Sequence, residues 1–510
     1  MSRALSAWKT DSRTLTLARS SEPEPLDAPA TGAESPIVPP SEAAADIFAL
    51  VVDTCPKRPA SSSQSYRIRS GQARPTQKDE LVTIPGWFGD AGFGLFVHWD
   101  HASQQGVEIG WPLVGHSILP GRTEPEADIT ITQYQSSAAT FDPRRWDPRD
   151  VARLARDAGA RYVVFTVRHH AGYSMYHTRQ SEFSVAASPY RRDITREFFD
   201  ALRAEGLRVG VYYSLLDWNH PDYPAFTDAD RPYPHERYRR PAPEQWARYL
   251  DYVKGQLTEL LTEYGTIDLL WFDGEWERTA EEWHAAELRE LIKSLQPDVI
   301  INDRLPGQGD YATPEQGMPR RPPGGPWELC LTMSESWAYR PDDLDYKSPR
   351  LLASYLSEVV SRGGNLLLNI GPRGDGSLVP TEVATLKQLG SWLASHGESI
   401  VGAAPAPERL DFHGPATQRG NNIYLHLLLQ PQEVLIVRNV PIGSVVGVRL
   451  LGTEQQLPYS VNEEVHKANG ADDEPLGELF ITVPPPTGAL IDVIAIELSA
   501  PWKDGSRATL

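Results

Sequence analysis

The stretch Ile267–Trp276, IDLLWFDGEW, decides how the chain is to be read. Its mostly apolar run Ile267–Phe272 is too short for an ordinary helix and is closed by the turn-forming pair Asp273-Gly274, so it reads as a buried strand that ends in a carboxylate. Similar runs flank it: Gly94–His98, Tyr162–Val167 and Arg208–Tyr213 before it, and Val299–Ile301, Glu328–Thr332 and Asn365–Asn369 after it. Between the runs lie helical patterns. Val151, Leu154, Ala155 and Ala158 fall on one helix face, as do Leu288, Leu291, Ile292 and Leu295. Strands alternating with helices over some 300 residues predict an α/β fold with a parallel sheet. The count suits a (β/α)8-like, TIM-type barrel with one strand degenerate. An open doubly wound sheet is the competitor, but no Gly-rich phosphate loop follows the first strand.

Texture divides the rest of the chain. Residues 1–80, with SSEPEPLDAPATGAESPIVPPSEAAA at their centre, are rich in Pro, Ser, Ala and Glu and are expected to be disordered or loosely docked. Residues 81–402 make the expected catalytic barrel. Within 403–510 the helical signal stops, and runs such as NNIYLHLLL, EVLIVRNV and IDVIAIEL predict a C-terminal antiparallel β-sandwich.

Bulk properties exclude several functions. A net charge of −19 over 510 residues does not suit a nucleic-acid partner or an anionic membrane surface. Two distant cysteines, Cys55 and Cys330, make neither a disulfide framework nor a Cys-rich metal site. No apolar run reaches the roughly 20 residues of a membrane span. Residues 1–21 lack the apolar region of a secretory signal, so a cytoplasmic location is expected.

Polar residues stand where each strand run ends: His98, then His169 and His170, Tyr212 and Tyr213, Asp273, and Asn302-Asp303-Arg304. In a barrel these ends converge on one mouth. One such histidine alone is commonly structural, and Asp273 before Gly274 is also ordinary turn chemistry; the convergence is what points to a site. A zinc barrel hydrolase needs two histidines at i and i+2 on the first strand. His98 and His101 fall on opposite faces instead, and adjacent His169 and His170 do not both point inward from a regular strand, so no metal is expected. Histidine, tyrosine and tryptophan around carboxylates suit a polyhydroxylated neutral ligand, and glycosidases use two carboxylates across the scissile bond.

The blocks FGLFVHW (93–99), FDPRRWDPRDVARLARDAGARYVVFTVRHHAGYSMY (141–176), GLRVGVYYSLLDW (206–218), DLLWFDGEW (268–276), INDR (301–304) and GGNLLLNIGPRGDG (363–376) resemble those of glycoside hydrolase family 29. That family consists of retaining α-L-fucosidases with a (β/α)8-like barrel followed by a β-sandwich. The resemblance implies a fucosylated oligosaccharide or glycoconjugate as substrate and neither metal nor organic cofactor. It places the nucleophile at Asp273 and sugar-binding groups at His98, His169, His170 and Arg304. The strand-end tyrosine falls on Tyr213, with Tyr212 as its less favoured neighbour, and Trp337 and Trp111 match aromatic positions. The acid/base falls on Glu315, 42 positions beyond Asp273, with Glu328, Glu275 and Glu277 as rivals. Ala171 and Asp100 depart from the family's usual Asp and Gly. Three alternatives stay open: a related glycosidase such as an α-L-galactosidase, a catalytically weakened carbohydrate-binding homologue, and a metal-dependent barrel hydrolase. Linkage, aglycone and oligomeric state are not readable at this level.

Overall fold

The computed structural model describes residues 84–115, 129–223, 227–231, 240–453, 455–463 and 476–502. The segment 1–80 expected to be disordered lies outside the described residues, as does Cys55. Seven strands form one parallel sheet: β1 (Phe93–Val97), β2 (Tyr162–Arg168), β3 (Arg208–Ser214), β4 (Leu269–Asp273), β5 (Ile300–Ile301), β6 (Trp327–Thr332) and β7 (Gly364–Ile370). All seven coincide with apolar runs read from the sequence. Their spatial order is β5-β4-β3-β2-β1-β7-β6, a curled sheet with β5 and β6 at its two edges. Residues 311–316 run between these edges. Asn302, beside β5, bridges to Tyr311, while Ala312 and Glu315 bridge to Trp327 and Cys330 of β6.

The helices are α1 (Gly86–Gly89), α2 (Ile131–Ser136), α3 (Pro148–Asp157), α4 (Ile194–Ala204), α5 (Pro243–Glu263), α6 (Ala285–Leu295), α7 (Pro349–Val360) and α8 (Pro380–His396). Several starts are written locally. Asp147, Asp193 and Ser348 each accept a backbone N–H in the first turn of α3, α4 and α7, and α3 and α7 also begin with proline. Among the described residues, no helix is long and apolar enough to cross a membrane.

Alternation along the strands separates two cores. Phe96, Tyr162, Val164, Tyr212, Leu269, Trp271, Cys330 and Leu367 bury together on the concave side of the sheet. Their neighbours Leu95, Val97, Val163, Phe165, Val211, Tyr213, Leu270 and Phe272 bury on the other side with Phe198, Leu257 and Leu288 of the helices. Glycine makes room on the concave side: a Cβ on Gly94 would stand 2.4 Å from the Tyr162 ring.

The C-terminal part holds a five-stranded and a three-stranded antiparallel sheet. One apolar cluster draws Leu425, Val448 and Ile494 from the first and Val437, Leu479 and Ile481 from the second. The other face of the larger sheet contributes Tyr424, Val493 and Ala495 to the core that also holds Trp392 of α8. The Trp392 indole donates to the Ile491 carbonyl at 2.8 Å.

Candidate active site

Asp273 is the last residue of β4 and remains 8 % exposed at the concave mouth of the sheet. Two neighbours fix where it stands. Gly274 turns the chain with a φ of 79°, a left-handed conformation open to glycine. The Asn302 side chain completes the backbone pairing that the two-residue β5 leaves short: its amide accepts from Phe272 N at 2.8 Å and donates to Phe272 O at 2.9 Å.

Both carboxylate oxygens of Asp273 are held. Tyr212 Oη donates to Oδ2 at 2.7 Å, and Arg304 Nη1 donates to Oδ1 at 2.7 Å. The other end of the same guanidinium, Nη2, donates to Glu315 Oε2 at 2.6 Å. One partly buried cation thus bridges the two carboxylates that the sequence singled out for chemistry. Glu315 is the more open of the pair, with its side chain 32 % exposed.

The three expected histidines share this pocket with Asp273, Arg304, Glu315, Trp111 and Trp337. The strand argument against both His169 and His170 facing inward does not apply. β2 ends at Arg168, its pairing with β3 shifts register there, and the histidines follow in a turn closed by Gly172 N donating to His169 O at 2.9 Å. His98 Nδ1 lies 2.7 Å from Asn369 Oδ1, whose own amide N–H donates to Trp337 O. That network puts the proton on Nδ1 and leaves Nε2 as an acceptor. His170 is fixed alike: its Nδ1 sits 2.7 Å from Ser214 Oγ, which donates onward to Leu216 O. Burial pushes His98 down to about 4. Burial and the adjacent rings push His169 and His170 well below the usual histidine range. At neutral pH the three are uncharged hydrogen-bonding groups.

Tyr213 is a correction. It does not reach the pocket: its ring packs under the Arg168 guanidinium at 4.3 Å and its hydroxyl donates to Gln256 of α5 at 2.9 Å. Period two along β3 puts Tyr212 inward and its neighbour outward. Tyr212 stacks on His169, with 5.2 Å between centroids and 6° between planes. The remaining residues around the pocket, Phe96, Trp271 and Trp276, were not singled out in the sequence. Phe96 and Trp271 each stand two residues before a strand-end site residue, so they share its face, and that spacing was a usable signal. Trp276 has none; it stands at the mouth, 40 % exposed, 5.5 Å edge-on from the His170 ring.

The rival carboxylates occupy other settings. Glu277 accepts from Trp218 Nε1 at 3.0 Å and Tyr223 Oη at 2.5 Å. Glu275 is pushed up to about 7 by burial and then by the charge of Asp273. Glu328 lies fully buried below the mouth, accepting from Tyr162 Oη and from Trp271 Nε1. Asp100, the departure beside His98, is turned away from the pocket, capping the turn that follows by accepting from Ala102 N at 2.7 Å.

Burial raises the Glu328 carboxyl to about 7, against the opposing pull of its hydrogen bonds and of Arg304. The unfolded chain ionises this group near 4.5, so the folded state holds an extra proton between about 4.5 and 7 and loses stability as pH rises through that window. A glutamine offers the donor and acceptor of the protonated acid without this loss. The Tm of Glu328→Gln relative to the unsubstituted chain should therefore climb as pH is raised across the window. A difference that stays flat with pH would show that the carboxylate is ionised throughout.

His169, His170 and Asp273 present ligand atoms within 4.8 Å of one another, a spacing open to a cation. Its chemistry is poor, because Arg304 already places a positive charge 2.7 Å from the only carboxylate in the set. Uncharged imidazoles, a tyrosine hydroxyl and indole faces around a carboxylate pair suit a neutral sugar.

The family model for alpha-L-fucosidase matches residues 60–398. The chain belongs to the alpha-L-fucosidase family. Among curated members of that family it is similar to the tissue alpha-L-fucosidase of Bos taurus, 31 % identical over 74 % of this chain and 82 % of the relative. The Homo sapiens tissue alpha-L-fucosidase is 30 % identical over 75 % of this chain and 84 % of the relative. Among solved alpha-L-fucosidase structures, isoenzyme 1 of Paenibacillus thiaminolyticus is 34 % identical, with 81 % of this chain and 98 % of that one covered at a TM-score of 0.69. A family 29 alpha-L-fucosidase from Bacteroides thetaiotaomicron, trapped as a covalent intermediate with 2-fluoro-fucosyl fluoride, is 26 % identical over 81 % of this chain and 95 % of its own, with a TM-score of 0.67.

Proposed function

We propose that this chain is a retaining exo-α-L-fucosidase that removes terminal fucose from glycans by double displacement. The observation that carries the reading is the Arg304 guanidinium shared between Asp273 and Glu315, set among three uncharged histidines. Asp273 attacks the anomeric carbon as the bond to the leaving oxygen breaks, and Glu315 delivers its proton to that oxygen. Glu315 then takes a proton from water, the water oxygen bonds to the anomeric carbon, and Asp273 departs. Two inversions give net retention. His98, His169 and His170 bind sugar hydroxyls, and Tyr212 and Arg304 hold the nucleophile. The same reading takes residues 311–316 as the missing stave that joins β5 to β6, closing a TIM-type barrel, with the C-terminal sheets packed as a β-sandwich.

Phe96, Trp271 and Trp337 give the pocket an apolar wall, which suits the methyl group of a 6-deoxy sugar. The hydroxymethyl group of L-galactose would bury a hydroxyl there, at a cost unless it finds a partner. Because such pockets reject an added hydroxyl only modestly, kcat/KM for an aryl α-L-galactoside should fall below that for the α-L-fucoside by about 10²-fold. An aryl β-D-galactoside should not be cleaved. The test is an aryl glycoside screen with product configuration followed by NMR. Preference for the galactoside, or a first product of inverted configuration, would sink the proposal, and full-length protein inactive on all three glycosides would favour the weakened, carbohydrate-binding alternative.

A further inference from the structure

Glu328 is the one rival carboxylate that lies directly beneath the chemistry. Its two oxygens face two different donors, the Tyr162 hydroxyl and, at 3.0 Å, the Trp271 indole N–H. Trp271 in turn supports both groups that hold the nucleophile. The Arg304 guanidinium carbon lies 4.4 Å from the centroid of its ring, and the Tyr212 ring stacks on it at 5.5 Å with 19° between planes. The contacts thus form a column from the buried carboxyl through one indole to Tyr212 and Arg304, and from these to the two oxygens of Asp273.

We infer that Glu328 is a positioning residue, fixing the Trp271 indole so that Tyr212 and Arg304 meet the nucleophile in register. An indole has one hydrogen-bonding atom, so a single acceptor at Nε1 settles the rotation of its plane. A plane that tilts carries the stacked tyrosine and the overlying guanidinium with it, and misplacement of about 1 Å at a reacting group costs on the order of 10²-fold in rate. Glu328 is fully buried and does not line the pocket, where Asp273 and Glu315 stand, so this role is separate from acid/base chemistry. It rests on the reading of Asp273 as nucleophile.

The experiment compares Glu328→Gln, Glu328→Leu and Trp271→Phe, with Asp273→Ala as control, on an aryl α-L-fucoside and a fucosylated oligosaccharide. Glu328→Gln keeps an acceptor for the indole and should retain kcat within a few-fold. Glu328→Leu should lower kcat on the order of 10²-fold on both substrates alike, with KM changed far less. Trp271→Phe, which keeps a ring but loses the donor, should lower kcat on both substrates too. The double variant should be no worse than the poorer single, because both changes break one linkage. If Glu328→Leu does not fold, Trp271→Phe carries the test by itself. A folded Glu328→Leu or Trp271→Phe with full kcat overturns the inference, as does a loss confined to the oligosaccharide or a double variant whose losses multiply. Substantial activity in Asp273→Ala would instead overturn the function reading beneath it.

Discussion

Asp273→Ala should lower turnover of an aryl α-L-fucoside on the order of 10⁴-fold or more, as removal of a covalent nucleophile does elsewhere. The fold should survive. Arg304 keeps Glu315 as its partner, so the guanidinium is not left without a counter-charge. The Tyr212 hydroxyl loses its acceptor, a change of about 1–3 kcal/mol. The space left by the carboxylate admits a small anion. Azide should therefore restore cleavage of an activated substrate and yield a fucosyl azide of inverted configuration, visible by NMR. A purified, folded variant with near-normal turnover would move the nucleophile to another residue.

Glu315→Ala should show a loss that depends on the leaving group. General acid catalysis contributes on the order of 10²–10⁴-fold when the leaving oxygen is basic, and little when an activated phenolate departs unaided. Hydrolysis of a fucosylated oligosaccharide should be crippled, while the glycosylation step of an aryl fucoside suffers far less. The high-pH limb of the pH–rate profile, where loss of the acid proton switches activity off, should flatten. Glu277 is committed to Trp218 and Tyr223, and Glu328 lies under the floor, so neither variant should share this signature. Glu275 is the stronger rival, because its carboxyl stays protonated up to about 7 close to Asp273. If Glu275→Ala shows the leaving-group dependence and Glu315→Ala does not, the acid/base role passes to Glu275.

Much of this was legible in the residues. The seven apolar runs became the seven parallel strands, because a short run buried on both faces has few other ways to bury itself. The strand ends delivered His98, His169, His170, Asp273 and Arg304 to one mouth, because parallel strands all finish on the same side of their sheet. Register within an element was harder. Tyr212 and Tyr213 are adjacent and chemically identical, and alternation says that they face opposite ways without saying which faces the mouth. The adjacent histidines misled in the opposite sense, since the alternation that separates neighbours stops where β2 ends at Arg168.

By itself, then, the sequence determined the α/β alternation, the antiparallel C-terminal sheets and the residue types at each strand end, because periodicity and turn chemistry are local properties of the chain. The tertiary structure alone decided that Tyr212 holds Asp273, that Arg304 joins Asp273 to Glu315, and that Glu328 lies in the floor under Trp271. Each of these depends on how the strands curl around one another, and no local pattern encodes the distance between residues 11 to 61 positions apart until the sheet brings them together.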